Sequence, residues 1–282
     1  MEIGIGLPNV VRGTRGVDLL AWAQSAEASG FSSLSALDRL AYPVFEPLAV
    51  LAAVTAVTRR VRLIANVLLA PTRDPFVLAK QAATVHQISD GRLVLGLGVG
   101  RRRDDYEIVG KSFRDRGKRF DLILEQLNDL WMGVAGSIVP EPLGPEGVPI
   151  LVGGQSDATP RRVAKWGIGW TSGGARGLED VAQFAGRVRE AWDAEARTGT
   201  PRILALCYFS VGHEERSRAQ TVDYYGFLGP KVQQLAVATP HDAQAILAFR
   251  DRCAQAGIDE LTFMPTVNDP DQVEKLAAIV LG

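Results

Sequence analysis

The chain has 282 residues, 46% of them hydrophobic and 22% charged, with a formal net charge of −1. These are the proportions of a globular protein, and near-neutrality supplies no basic field to draw nucleic acid or an anionic membrane. No apolar run reaches the roughly 18 residues that suggest a membrane span, and the opening MEIGIGLP lacks the basic start of a signal peptide, so a cytoplasmic protein is expected.

Residues 3–7 read as a short strand ended by Pro8-Asn9. Residues 17–29 follow as a helix with Leu19, Leu20, Ala23 and Ala26 inward, closed by Gly30. A second strand, 31–37, ends at Asp38-Arg39. A helix rich in Ala, Leu and Val covers 47–58, with Arg59 and Arg60 at its negative end. Residues 61–69 form an apolar run broken only by Asn66, the pattern of a strand buried on both faces. Asp74-Pro75 then marks a helix start, and Leu78, Ala82, Val85 and Ile88 recur at helical spacing up to the Asp90-Gly91 stop. Residues 93–99 are a second apolar run, ending in Gly96, Gly98 and Gly100.

Beyond this β-α-β unit, 103–113 reads as a loop or short helix and 119–132 as an amphipathic helix. Residues 137–148 make a connection punctuated by Pro and Gly. A fifth strand at 149–152 leads into Gly153-Gly154-Gln155-Ser156 and a helix at 159–166. A strand at 168–171, a long helix at 178–197 and a strand at 203–211 follow. Residues 214–238 read as an inserted helical segment with a break at Gly229-Pro230. The chain closes with a helix at 240–256, an eighth strand at 260–264 and a helix at 271–281. Eight strands alternating with helices, with no linker or composition shift, favour a closed (β/α)8 TIM barrel over an open doubly wound sheet, as a single domain over 1–282.

In such barrels the C-terminal ends of the strands face the ligand, so strand-end residues are the candidates for chemistry. Asp38 is placed to act as an acid or base or to hold a ligand hydroxyl; as an Asp it also suits a helix cap or an ion pair with Arg39. Asn66 is a polar side chain in a buried strand and needs a partner. Gly96, Gly98 and Gly100 either admit a flat ligand to the backbone or serve tight packing. Of Arg101, Arg102 and Arg103, one suits a phosphate clamp, and the rest pair with Asp104 and Asp105 on a solvated face. The loop Gly153 to Ser156, entering a helix with Thr159 nearby, is the strongest anion site: backbone N–H groups at a helix start bind phosphate. No Walker loop, Rossmann fingerprint, GxSxG elbow or HExxH is present. His86, His213 and His241 stand alone, so no metal site is expected, and His86 reads as a surface or edge residue. Trp170 reads as core, or as facing a cofactor. Cys207 and Cys253 match no zinc or redox spacing and read as reduced, buried thiols.

The motifs ALDR (36–39), RRVRLIANVLLAPTRDP (59–75), LAKQAATVHQISDGRLVLGLGVG (78–100), RGKRFD (116–121) and PILVGGQS (149–156) resemble the bacterial luciferase-like superfamily of flavin- and deazaflavin-dependent oxidoreductases. The similarity runs from Ile3 to about Val280. It implies a barrel with an isoalloxazine-type ring over the strand ends and a non-prolyl cis peptide at Asn66-Val67 bulging beneath that ring. It also implies a cofactor phosphate near Gly98, Val99, Gly100 and Arg101 and near Gly153, Gly154, Gln155 and Ser156. Two departures stand out. Many relatives carry Asp-His where this chain has Asp38-Arg39, which disfavours the sugar-phosphate dehydrogenase branch. Ile168 also stands where relatives carry an Asp before Gly-Trp.

Within that superfamily the first reading is an oxidoreductase using coenzyme F420, with hydride passing between the deazaflavin and a small organic substrate. The short chain and a residue usage rich in Ala, Arg, Gly and Val, as from a GC-rich genome, lean toward deazaflavin. The alternatives are an FMN-dependent monooxygenase and a cofactor-binding protein without turnover. Asp38 is the one acid available as proton donor. An F420 binder needs cations beyond the phosphate for its acidic tail, and Arg101, Arg102, Arg103, Arg161, Arg162, Lys165 and Arg176 are the supply. Substrate choice falls to residues 9–16, 39–46 and 217–238. The expected partners are a small-molecule substrate and a second copy of the chain, as a homodimer.

Overall fold

The computed structural model describes residues 1–282 except Ala135, Ser137, Ala175 and Arg176. Eight strands close into a barrel in sequence order, each parallel to the next, and the last returns to pair with the first. The strands are β1 (Glu2–Gly6), β2 (Ser33–Ala36), β3 (Arg62–Leu69), β4 (Leu93–Gly98), β5 (Ile150–Gly153), β6 (Gly169–Thr171), β7 (Arg202–Phe209) and β8 (Glu260–Pro265). On the outside run α1 (Gly16–Ser29), α2 (Pro47–Thr55), α3 (Pro75–Ile88), α4 (Asp104–Glu107), α5 (Arg116–Trp131), α6 (Thr159–Trp166) and α7 (Leu178–Ala194). Between β7 and β8 lie α8 (Glu214–Tyr225), α9 (Lys231–Ala238) and α10 (Ala243–Gln255), and α11 (Gln272–Val280) closes the chain. The expected barrel and its inserted helices before the last strand are both present. Among the described residues no helix is long and apolar enough to cross a membrane.

The local signals act as their chemistry dictates. The Asp74 carboxylate accepts the Val77 N–H at 2.9 Å and Pro75 opens α3. The Arg59 guanidinium donates to the carbonyls of Thr55 and Thr58 at the end of α2. Several boundaries differ from expectation. The second helix stops at Thr55, not residue 58, where the hydroxyls of Thr55 and Thr58 bond back to the carbonyls of Ala52 and Val54. The helix after β7 and its insertion starts at Ala243, not residue 240, because the Asp242 carboxylate caps the Ala245 N–H at 2.8 Å. The fifth helix takes in Arg116 to Lys118, and the seventh ends at Ala194. His86 is not a surface residue: it is 4% exposed, and its Nδ1 accepts the Leu143 N–H at 3.1 Å.

Most of the core lies between the sheet and its helices, where Leu63, Leu95, Val152 and Ile203 meet Leu78, Phe120, Leu127 and Val188. Cys207 and Cys253 are buried there as free thiols. Inside the barrel the layers differ in character. At the N-terminal ends of the strands, Glu260, fully buried, takes hydrogen bonds from the Ser33 hydroxyl, from Arg62 at 3.1 Å and from Arg202 at 2.7 Å, and Glu2 pairs with both arginines. Above that network Ile64, Val94, Leu151 and Leu204 form an apolar layer, with Ile168 against it. A side chain at 168 thus belongs to the plug beneath the site. The mouth lies above this layer.

Candidate active site

A cavity of about 430 Å³ opens at the C-terminal ends of the strands. Its floor is made by β3 and β4. The register between them shifts between Ala65 and Leu68, and the Asn66-Val67 peptide there is cis. The bulge drives the Ala65 carbonyl and the Val67 side chain toward neighbouring strands, and glycines make room for both. A Cβ at Gly96 would lie 2.2 Å from the Ala65 oxygen. One at Gly98 would lie 2.8 Å from Val67 Cγ2, and one at Gly153 2.9 Å from Val67 Cγ1. Gly96 packs against the bulge, while Gly98 and Gly100 also line the cavity.

Asn66 is 4% exposed and lines the cavity. Its Oδ1 accepts the Thr171 hydroxyl at 2.9 Å, while Nδ2 has no protein partner. A buried amide N–H is costly unless water or a ligand supplies an acceptor. Val99 is held by its carbonyl, which accepts the Tyr106 hydroxyl; burial pushes that phenol up to about 12. On the next wall stand Gly153, Gly154, Gln155 and Ser156. The N–H groups of Gln155 and Ser156 donate to nothing among the described residues, and Gln155 Nε2 is buried without a partner. Thr159 does not line the cavity; its hydroxyl sits 3.1 Å from that of Ser156 and steadies it. Trp170 is core, packed on Phe184 at 4.9 Å, yet its N–H donates to the Gly154 carbonyl at 2.7 Å and so orients the loop.

Cations gather on this side. Arg101 lines the cavity and forms no ion pair among the described residues. Arg116, which sequence reasoning placed in a motif but not in the site, lines it too; its Nη1 donates to the Phe113 carbonyl and its Nε has no partner. The other named arginines are engaged elsewhere. Arg102 bonds Asp104 at 3.0 Å and the Tyr224 carbonyl at 2.8 Å, and Arg103 stacks on Phe113. Arg161 and Arg162 meet Asp121, and Lys165 lies over Trp166. Arg176 lies outside the described residues. Asp105 does not pair with this arginine run: its carboxylate takes Arg39 Nε at 2.7 Å and the N–H groups of Leu40 and Ala41.

Asp38 is outside the cavity lining. Its Oδ2 accepts the Leu69 N–H at 2.9 Å and the Arg73 guanidinium at 2.8 Å, so it ties the loop after β2 to the end of β3 and pairs with Arg73 rather than Arg39. The titratable groups that do line the cavity, apart from arginine, are phenols: Tyr208 at the end of β7 and Tyr224 and Tyr225 at the end of α8, all raised by burial. Sequence reasoning missed them and Thr171. Tyr208 was signalled only by its place near a strand end, and Tyr224-Tyr225 only as an aromatic doublet in the insertion. No group of His, Cys, Asp and Glu among the described residues is arranged to hold a metal.

A family model described as luciferase-like monooxygenase matches residues 1–279. An uncharacterised protein of Mycobacterium tuberculosis is 31% identical over 230 residues, 69% of this chain and 78% of that protein. The pyrimidine monooxygenase RutA of Methylobacterium radiotolerans is 31% identical over 200 residues, 62% of this chain and 49% of that protein. Among solved structures, an F420-dependent secondary alcohol dehydrogenase in complex with an F420-acetone adduct has a TM-score of 0.83 at 15% identity, covering 99% of this chain and 98% of that one. Monooxygenase RslO1 from Streptomyces bottropensis has a TM-score of 0.79 at 20% identity, covering 100% of this chain and 99% of that one.

Proposed function

The chain belongs to the luciferase-like monooxygenase family, and we propose that within it this protein is an oxidoreductase that uses coenzyme F420, with hydride passing between the deazaflavin and a small organic substrate. The floor of the cavity carries the reading: Val67 raised against three glycines, beside an Asn66 amide with an unengaged donor. A flat heterocycle with ring carbonyls suits both features. The free N–H groups of Gln155 and Ser156 suit a phosphate. When bound, the deazaflavin supplies a two-electron hydride carrier; binding, orientation and exclusion of water fall to the protein.

Arg101 supports deazaflavin over FMN: it lines the cavity without an acidic partner among the described residues, a cation available to an acidic tail. An FMN-dependent monooxygenase is the second reading, favoured by the 31% identity to pyrimidine monooxygenase. Phenol hydroxyls lining the cavity, able to donate hydrogen bonds to a substrate, speak against a carrier without turnover. The deciding experiment is titration of the purified protein with oxidised and reduced FMN and F420, followed by ring fluorescence. Tighter binding of F420 at low salt is expected; the reverse order puts the monooxygenase first. A homodimer, with each chain acting as one domain, belongs to the same proposal, since Phe76, Val77 and Ile88 leave apolar surface exposed on α3. Sedimentation showing only monomer would remove that part.

A further inference from the structure

Opposite the floor the cavity changes character. Its wall there includes Leu206, Tyr208, Tyr224 and Tyr225, with no carboxylate or amine among the described residues, while the Arg101 guanidinium lies within electrostatic reach of Tyr225. The two lining cations, Arg101 and Arg116, come from the segment after β4 and the start of α5. The hydroxyls of Tyr208 and Tyr225 lie 2.8 Å apart and bond to each other, and neither has another protein partner among the described residues. A hydroxyl carries one donor and two acceptor sites, so a bonded pair uses one O–H and leaves the other for a third group.

The rings that carry these hydroxyls are held in place. The Tyr208 ring meets Tyr225 edge-on at 5.6 Å, and Tyr225 meets Tyr224 at 4.9 Å. A Cβ at Gly174 would come within 2.7 Å of the Tyr208 ring, so the backbone there lies close against it. The end of α8 is pinned from outside: the Tyr224 carbonyl takes Arg102, and Asp223 takes Arg12 and the Tyr42 hydroxyl.

We propose that this half of the cavity takes a neutral, apolar molecule bearing one carbonyl oxygen, which accepts the free O–H of the Tyr208–Tyr225 pair. The inference deepens the reading above, resting on the floor holding the cofactor ring. A cationic group here would meet the Arg101, Arg102 and Arg39 guanidiniums that act on Tyr225. An anionic one would lose its hydration against aromatic surface, while Arg101, the lining cation within reach, is engaged by the acidic tail of the cofactor on the reading above. An apolar body meets aromatic and leucine surface, and the one fixed donor orients it. Burial raises both phenols, so they remain protonated donors at neutral pH.

Acetophenone, cumene and benzoate share a ring and differ in carrying a neutral carbonyl, no polar group or a charge. They serve as probes by calorimetry on the protein saturated with whichever of F420 or FMN it binds. Acetophenone is expected to bind roughly three- to tenfold more tightly than cumene, the range of one hydrogen bond, and benzoate most weakly. Its carbonyl stretch should shift to lower frequency on binding. The double variant Tyr208→Phe/Tyr225→Phe should remove the preference and the shift while leaving cumene affinity unchanged, whereas each single variant still leaves one hydroxyl free to donate. Unchanged cumene binding also reports that the variant is folded. A preference that survives in the double variant, or benzoate binding as tightly as acetophenone, overturns the proposal. Failure of both cofactors to bind would instead overturn the reading on which it rests.

Discussion

The Thr171 hydroxyl on β6 donates to Asn66 Oδ1 on β3 at 2.9 Å, joining two strands that are not neighbours in the barrel. That contact orients the Asn66 amide and leaves its Nδ2 without a protein partner at the edge of the cavity. Thr171→Val removes the orienting donor and should weaken binding of the ring cofactor about two- to tenfold, the span of one net hydrogen bond. Asn66→Asp replaces the donor with an acceptor and should weaken it further. Fluorescence titration reads both, and unchanged affinity in the two variants would show that Asn66 does not meet the cofactor.

The glycines beneath the bulge divide into two kinds. At Gly96 the obstacle to a Cβ is the Ala65 backbone, which cannot turn aside; at Gly98 it is the Val67 side chain. Gly96→Ala should therefore cost about 1–3 kcal/mol or more of stability, seen as a lower urea midpoint. Gly98→Ala should be milder alone and largely relieved by adding Val67→Ala. Equal and additive losses in the double variant would contradict the contact.

Arg39 and Asp105 form an ion pair whose side chains are 5% and 1% exposed. Removing one charge leaves the other buried and unpaired, so Asp105→Ala should cost about 3–5 kcal/mol. Chemical denaturation measures it. A loss below about 1 kcal/mol, the worth of an exposed pair, would mean that Arg39 escapes to water.

His86 is held neutral: burial lowers its pKa below the ordinary 6.5, and Nδ1 accepts a backbone N–H. The unfolded chain therefore binds a proton more readily than the folded one. Stability should fall as pH drops through about 6.5, levelling off only below the folded pKa. His86→Gln should flatten that part of the pH profile in thermal melts, and an unchanged slope would assign the dependence elsewhere.

The anion site makes a separable prediction. Ser156→Asp places a carboxylate beside the free N–H groups and should weaken both FMN and F420. Arg101→Met should weaken F420 more than FMN and reduce its salt sensitivity, because exposed pairs are screened over about 8–10 Å at ordinary ionic strength. Adding Arg103→Met should do little more, since Arg103 stacks on Phe113. Equal effects of Arg101→Met on the two ligands would count against the acidic tail.

The barrel was legible in the sequence because its signals are local. Apolar runs at 61–69 and 93–99, the Asp74-Pro75 start and the Asp90-Gly91 stop each act within a turn or two. Eight such units admit few closures. The glycine-rich ends and the Gly153 to Ser156 loop were legible for the same reason: strand-to-helix order places them at one rim. The partners of side chains were not. Arg39 meets Asp105 sixty-six positions away, Asp38 meets Arg73, and Thr171 meets Asn66 across the mouth. The Tyr208–Tyr225 pair needed the insertion to fold back over β7. The register of a closed barrel and the path of an inserted helix decide which long side chains share a cavity, and both are set by packing summed over the whole chain. Residue type and spacing carry what each segment is; only the closed tertiary structure sets what it faces.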